Sequence, residues 1–193
     1  DLIYMRYRSN GMEIILIRHG KPQSAVNKWV SAEGFAKWVE DYNASNVSCD
    51  SEPPVVLKHK IKEFFVVSSD LPRAIHSAGL CAGKEPDLVL DKLREMDVPQ
   101  IKIPLIISAY AWLILNGILW YFGIHGHVES YKSGKQRAKL AADSLAELAK
   151  TEEKVAVFGH VVTNMLIAKE LLLRGWKGKF SGKSFWSTVE FNI

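Results

Sequence analysis

Cysteine is scarce in this chain, and charge is missing from one long stretch of it. Cys49 and Cys81 are the only two cysteines. They form no CxxC pair and no disulfide framework, so a reducing, cytoplasmic setting is the default and a thiolate zinc site is excluded. The start, Asp1-Leu-Ile-Tyr-Met-Arg-Tyr-Arg8, has no apolar core of the secretory type. No internal repeat or low-complexity tract is visible. Charge imbalance is small: 25 Lys and Arg against 21 Asp and Glu give +4. That favours anionic partners without specifying nucleic acid, and none is expected. Residues 103–124 carry no Asp, Glu, Lys or Arg at all. The length suits a membrane span. Basic residues flank the run on both sides, without the asymmetry that orients a span, and Asn116-Gly117 interrupts it. A buried helix, a lid or a dimer face fits better, with a helix lying on a membrane as the alternative.

What is present is an alternation of strands and helices in 193 residues, enough for one domain. Met12–Ile17 and Phe64–Ser69 are short apolar runs of the buried-strand kind. Asp87–Asp91, Lys154–Phe158 and Ser184–Asn192 complete five expected strands. Helices are expected from Ser31 to Tyr42, from Pro72 to about Ala82, from Ser130 to Lys150 and from His160 to about Leu173. Residues 1–10 read as a loose extension and Asn43–Pro54 as a loop. The pattern predicts a three-layer α/β/α sandwich with a mostly parallel sheet and an apolar helical insertion at about 101–128. Arg18-His19 and His160 both fall just beyond a strand's C-terminal end, the edge where open α/β sheets bind ligands.

Four segments share that logic. They are Leu16-Ile-Arg18-His19-Gly20, Ser68-Ser69-Asp70-Leu71-Pro72-Arg73-Ala74, Leu93-Arg94-Glu95 and Phe158-Gly159-His160. Taken in order, they resemble the motifs of the histidine phosphatase superfamily, the phosphoglycerate-mutase-like fold. The resemblance runs from residue 14 to about 170. It implies that His19 is the nucleophile, that Arg18, Arg73 and His160 bind the phosphoryl group, and that Glu95 is general acid and then base. Asp97, two residues on, is the competing candidate for the acid. The residue types suit these tasks. Arginine presents a planar, permanently charged fork to phosphate oxygens. A neutral imidazole can carry a phosphoryl group, and a carboxyl group can protonate the leaving alkoxide. Two arginines and two imidazoles do the charge work that a metal does elsewhere, so neither metal nor cofactor is expected. The implied substrate is a small phosphomonoester. Mutase activity, removal of phosphate from protein phosphohistidine and a non-catalytic phosphate-binding or membrane-peripheral module are the alternatives. The resemblance also forbids 103–124 from spanning a bilayer, because His160 would then lie across it from Arg18, His19, Arg73 and Glu95; it implies instead a helical cover over the pocket, whose Tyr110, Trp112, Trp120, Tyr121 and Phe122 suit contact with an apolar ligand or a membrane surface.

Some positions depart from the pattern. Lys21-Pro22 stands where many members carry Glu with Thr or Ser, and Val161 stands where Gly commonly follows the second histidine. Lys21 reads either as a rim charge for an anionic ligand or as a surface lysine. Ser77 replaces a common threonine, and His76 reads as a helix-surface residue. Together with the short chain, these features favour phosphatase over mutase. Ser181-Gly182-Lys183-Ser184 fails the spacing of a nucleotide-binding loop, since its first glycine would have to be Lys177. His125-Gly126-His127 with Glu129 lacks a defined further metal ligand. Lys132, Lys135, Arg137 and Lys139 read as a solvated helix face.

Overall fold

The computed structural model describes residues 11–180, 182 and 184–193. The extension expected at 1–10 lies outside them, as do two of the four residues in the rejected loop motif, Ser181 and Lys183. Among the described residues eight strands and six α-helices follow one another: β1 (Glu13–Arg18), β2 (Trp29–Val30), α1 (Ala32–Ala44), α2 (Val55–Lys60), β3 (Phe65–Ser69), α3 (Pro72–Ala82), β4 (Leu88–Leu90), β5 (Ile107–Ser108), α4 (Ala109–Tyr121), α5 (Tyr131–Glu152), β6 (Lys154–Gly159), α6 (Val161–Leu173), β7 (Lys177–Phe180) and β8 (Thr188–Asn192).

The main sheet has the order β4-β3-β6-β1-β8-β7. Its first four strands are parallel, and β8 runs antiparallel to both β1 and β7. The mostly parallel α/β sandwich expected from the sequence is therefore what forms. Ile14 to Ile17 are at most 1% exposed. An unbroken apolar run is required here because helices cover both faces of β1. On one face Ile14 and Leu16 pack with Leu145 of α5 and Ile167 of α6. On the other, Ile15 and Ile17 pack with Ala78 and Cys81 of α3 and with Leu57 of α2. Burial pushes the Cys81 thiol up to about 11, so it is a small apolar side chain in this layer.

Three elements were not anticipated: β7, the short α2, and the two-residue pair of β2 with β5. Two-residue strands lack a periodic signal, and Lys177–Phe180 is only four residues long, with lysines alternating with a glycine and a phenylalanine. The last strand begins at Thr188 rather than Ser184, after a turn.

The uncharged stretch is not one long buried helix. It holds β5 and then the 13-residue α4, whose Ala109, Trp112, Asn116 and Trp120 face inward. Tyr110, Ile114, Ile118 and Tyr121 on its outer side are exposed. Asn116-Gly117 does not break the helix, and the Asn116 amide Nδ2 donates to the Trp112 carbonyl at 2.9 Å, one turn back. Among the described residues no helix is long and apolar enough to cross a membrane. α4 docks on α1 through stacked aromatics, with Phe35 5.8 Å from Trp112 and 6.1 Å from Trp38. Each indole N–H finds a backbone oxygen, Trp38 on Val26 and Trp112 on Val30. This lets two large rings be buried without an orphaned donor.

Candidate active site

The site begins with register. Arg18 of β1 pairs with Gly159 of β6, and Ser68 of β3 pairs with Phe158. The residues that follow, His19, His160 and Ser69, therefore emerge side by side at one edge of the sheet. Their rings and hydroxyl meet as that register dictates. The His19 and His160 rings lie 5.1 Å apart. His160 Nε2 is 2.9 Å from Ser69 Oγ. The next turn, at Leu71-Pro72, starts α3 and brings Arg73 into the same corner.

Two contacts set the protonation of His19. Nδ1 lies 2.6 Å from the Gly20 carbonyl, which can only accept, so Nδ1 carries the hydrogen. Arg73 Nε donates to Nε2 at 3.2 Å, which leaves Nε2 with its lone pair. Burial, then Arg73 and Arg18, hold this imidazole well below the ordinary histidine range. His160 is held down in the same way, by burial first and then by Arg73 and His19. Both rings are thus neutral at neutral pH.

Arg73 is 1% exposed. Its Nη1 donates to the Tyr42 carbonyl at 3.1 Å and to Asn43 Oδ1 at 3.2 Å, and its guanidinium lies 4.7 Å from the Tyr42 ring centre. Arg18 stacks on Phe185 at 4.3 Å and hydrogen-bonds with the Tyr42 hydroxyl. Tyr42 thus stands between the two arginines, and burial pushes its hydroxyl up. The sequence placed Tyr42 only on an apolar helix face and left Asn43 in a loop. A tyrosine at the last turn of that helix, followed by an amide, carries no motif by itself.

Glu95 reaches the same corner by another route. Its carboxylate accepts from the backbone N–H groups of Val162 and Thr163 at 3.2 and 3.1 Å, and from the Thr163 hydroxyl at 3.2 Å. These belong to the first turn of α6, whose N-cap is His160. The first turn of α6 thus fixes Glu95 beside the second histidine. Asp97 is exposed and shares the wall of the same cavity. The segment carrying both is pinned by Arg137, which donates to the carbonyls of Lys92 and Arg94 and pairs with Glu129 at 2.7 Å. Arg137 is therefore not part of a solvated face, as its sequence neighbours suggested. It is the peg that holds the acid motif.

Gly20 is forced. A Cβ there would lie 2.4 Å from the Trp186 ring and 2.8 Å from Val47. Its N–H donates to Ser77 Oγ, which donates in turn to the Arg73 carbonyl, so Ser77 ties the first motif to the second. His76 is half-buried and accepts from the Val47 N–H. Lys21 is exposed, pairs with Asp50 at 3.2 Å and does not line the cavity, so it is a surface lysine. Val161 does line it. His125 bonds the Val128 carbonyl, and no cluster of metal-ligating groups occurs among the described residues.

The cavity has a volume of about 610 Å³ and opens above Arg18, His19, Arg73 and Glu95. His160 is fully buried just behind its wall. Its Nδ1 has no hydrogen-bond partner among the described residues.

No curated protein sequence matches the chain. Among solved structures it is similar to an open-reading-frame product of Mycobacterium tuberculosis, with a TM-score of 0.61 and 15% identity, covering 93% of this chain and 90% of the other. It is similar to a mycobacterial glucosyl-3-phosphoglycerate phosphatase, with 0.57 and 17%, covering 93% and 92%. An α-ribazole phosphatase of Shigella flexneri gives 0.52 and 17%, covering 90% and 93%. These likenesses are of fold. The sequence profile of the histidine phosphatase superfamily (branch 1) matches residues 56–183, a stretch that holds Arg73, Glu95 and His160. The match spans about two thirds of the chain, and the chain belongs to the histidine phosphatase superfamily.

Proposed function

We propose that the protein hydrolyses a phosphomonoester through a phosphohistidine on His19. The observation that carries this is the fixed tautomer of His19. Its Nε2 lone pair sits at the floor of the cavity, between two arginines, on a ring that burial keeps neutral.

A phosphomonoester dianion entering the cavity draws the Arg73 fork from His19 Nε2 onto its oxygens, with Arg18 on another side. Nε2 attacks phosphorus, the bond from phosphorus to the ester oxygen breaks, and that oxygen takes a proton from Glu95, which enters the cycle as the carboxylic acid and leaves this step as the carboxylate. With Nε2 accepting from the Ser69 hydroxyl, His160 Nδ1 carries the hydrogen; it has no partner among the described residues and donates to a phosphoryl oxygen, which relieves a buried donor and stabilises the charge. Water then gives a proton to the Glu95 carboxylate and attacks phosphorus. The P–N bond breaks, inorganic phosphate leaves, and His19 returns to its starting form.

The test is hydrolysis of p-nitrophenyl phosphate with EDTA present, for wild type and His19→Ala. Wild-type turnover is expected to survive EDTA, and the variant to lose at least about 10³-fold in kcat. Rapid acid-free quenching should trap phosphate on the wild type alone. An active His19→Ala protein would remove the proposal.

A further inference from the structure

The cavity changes character above its floor, and that change bears on what leaves when the phosphorus–oxygen bond breaks. This inference rests on the reading of the floor as a phosphate site. Beyond Arg18, His19, Arg73 and Glu95, and the Tyr42 and Asn43 that hold Arg73, the half-buried and buried walls are mostly apolar: Trp38 and Val39 of α1, Val98 of the following loop, and Leu113, Gly117 and Trp120 of α4. Charge returns only at the exposed mouth, where Glu40 and Asp97 are acidic. The one further cation on the described wall, Arg94, is forked onto both oxygens of Asp70 at 3.0 and 2.7 Å.

An anionic leaving group would therefore meet, among the described residues of the wall, no cation besides the phosphate-binding pair and the already paired Arg94. A carboxylate or second phosphate, as in a phosphorylated sugar acid, would lie against Trp38, Val98 and Leu113, where an unpaired charge is costly. It would then pass two carboxylates at the mouth. A polyhydroxy alcohol finds few polar partners on the same walls. The volume is far greater than a phosphoryl group needs and falls in the range of small-molecule pockets.

We infer that the natural substrates are phosphomonoesters of bulky, uncharged, apolar alcohols, the alcohol being held between α1 and the inner side of α4. The walls discriminate by burial of apolar surface, and the mouth rejects anionic alcohols.

The test uses a homologous series of primary n-alkyl phosphates, from ethyl to octyl, with 3-phosphoglycerate as the anionic comparator. Leaving-group basicity is nearly constant along the series, so chain length isolates burial. kcat/KM is expected to rise about threefold to fourfold per methylene until the cavity is filled, and hexyl phosphate to exceed 3-phosphoglycerate by at least about tenfold. Calorimetric binding of the matching alkylphosphonates, which cannot be hydrolysed, reads the same preference without turnover. Leu113→Ser and Val39→Ser should each flatten the chain-length dependence of both readouts. A flat series, a preference for 3-phosphoglycerate, or the wild-type slope in both variants would overturn the inference. Failure of the phosphatase reading itself shows separately, as absent hydrolysis of p-nitrophenyl phosphate, while the phosphonate affinities still decide on the walls.

Discussion

The floor of the cavity and its helical cover are built by different rules. The floor is set by backbone register: β1, β3 and β6 end level with one another and deliver His19, Ser69 and His160 to adjacent places. Many polar groups there have a named partner, from Gly20 on Ser77 to Glu95 on the first turn of α6, with His160 Nδ1 an exception among the described residues. The cover is held by packing. α4 leans on α1 through Phe35, Trp38 and Trp112, carries few polar contacts and leaves an apolar outer face exposed. On the proposed function, chemistry belongs where the ladder leaves no freedom, and selectivity belongs where side-chain volume decides.

The sharpest way to probe the floor is Glu95→Gln. The variant should lose about 10²–10⁴-fold in kcat/KM on an alkyl phosphate, whose alkoxide needs a proton, and clearly less on p-nitrophenyl phosphate, whose leaving group does not. Asp97→Asn should stay within about twofold on both substrates. The reverse ranking would move the acid to Asp97.

Next in size is one substitution made in both regions. Gly20→Ala drives a Cβ into Trp186 and Val47 and should cost about 1–3 kcal/mol. Gly117→Ala, in the middle of α4, meets nothing within 4 Å. It should be neutral or stabilise by up to about 1 kcal/mol through helix propensity. Denaturant midpoints of the two variants would show whether floor and cover differ as stated.

The pH dependence of stability is a smaller effect. His19 and His160 are both held below the ordinary range by burial. Below about pH 6.5 the unfolded chain binds protons that the folded chain refuses. Their contribution is therefore complete above that pH and is lost as pH falls beneath it. Thermal midpoints measured from pH 7 to pH 5 should drop more steeply for the wild type than for His160→Gln. Parallel curves would mean that His160 takes up its proton freely in the fold.

The smallest expected effect is at Lys21. It pairs with an exposed aspartate outside the cavity, a kind of pair that contributes little. Lys21→Ala should leave kcat/KM within about twofold and the folding midpoint nearly unchanged.

The difference between the regions explains what the sequence disclosed. Arg18, His19, Arg73, Glu95 and His160 were legible because each sits next to a strand or turn whose apolar run is itself legible, and because they occur in order. Tyr42 and Asn43 were not, since they reach the site through the packing of α1 against the sheet rather than through a local pattern. Arg137 was misread because its partners, the carbonyls of Lys92 and Arg94, are backbone atoms more than forty positions away. The length and exposure of α4 were misjudged for a related reason. An apolar run has no direction until its neighbours decide which side is covered.

The level ends of the three parallel strands also limit how this chain can change. A residue gained or lost within β1, β3 or β6 would shift its side chains by one place and turn His19, Ser69 or His160 away from the others. The same gain in the mostly exposed loops at 99–106 and 122–128, on either side of β5 and α4, would fall on the mouth and cover. New selectivities are thus reachable by insertion around an unaltered reaction centre, while the centre itself can be varied only by replacement, one side chain at a time.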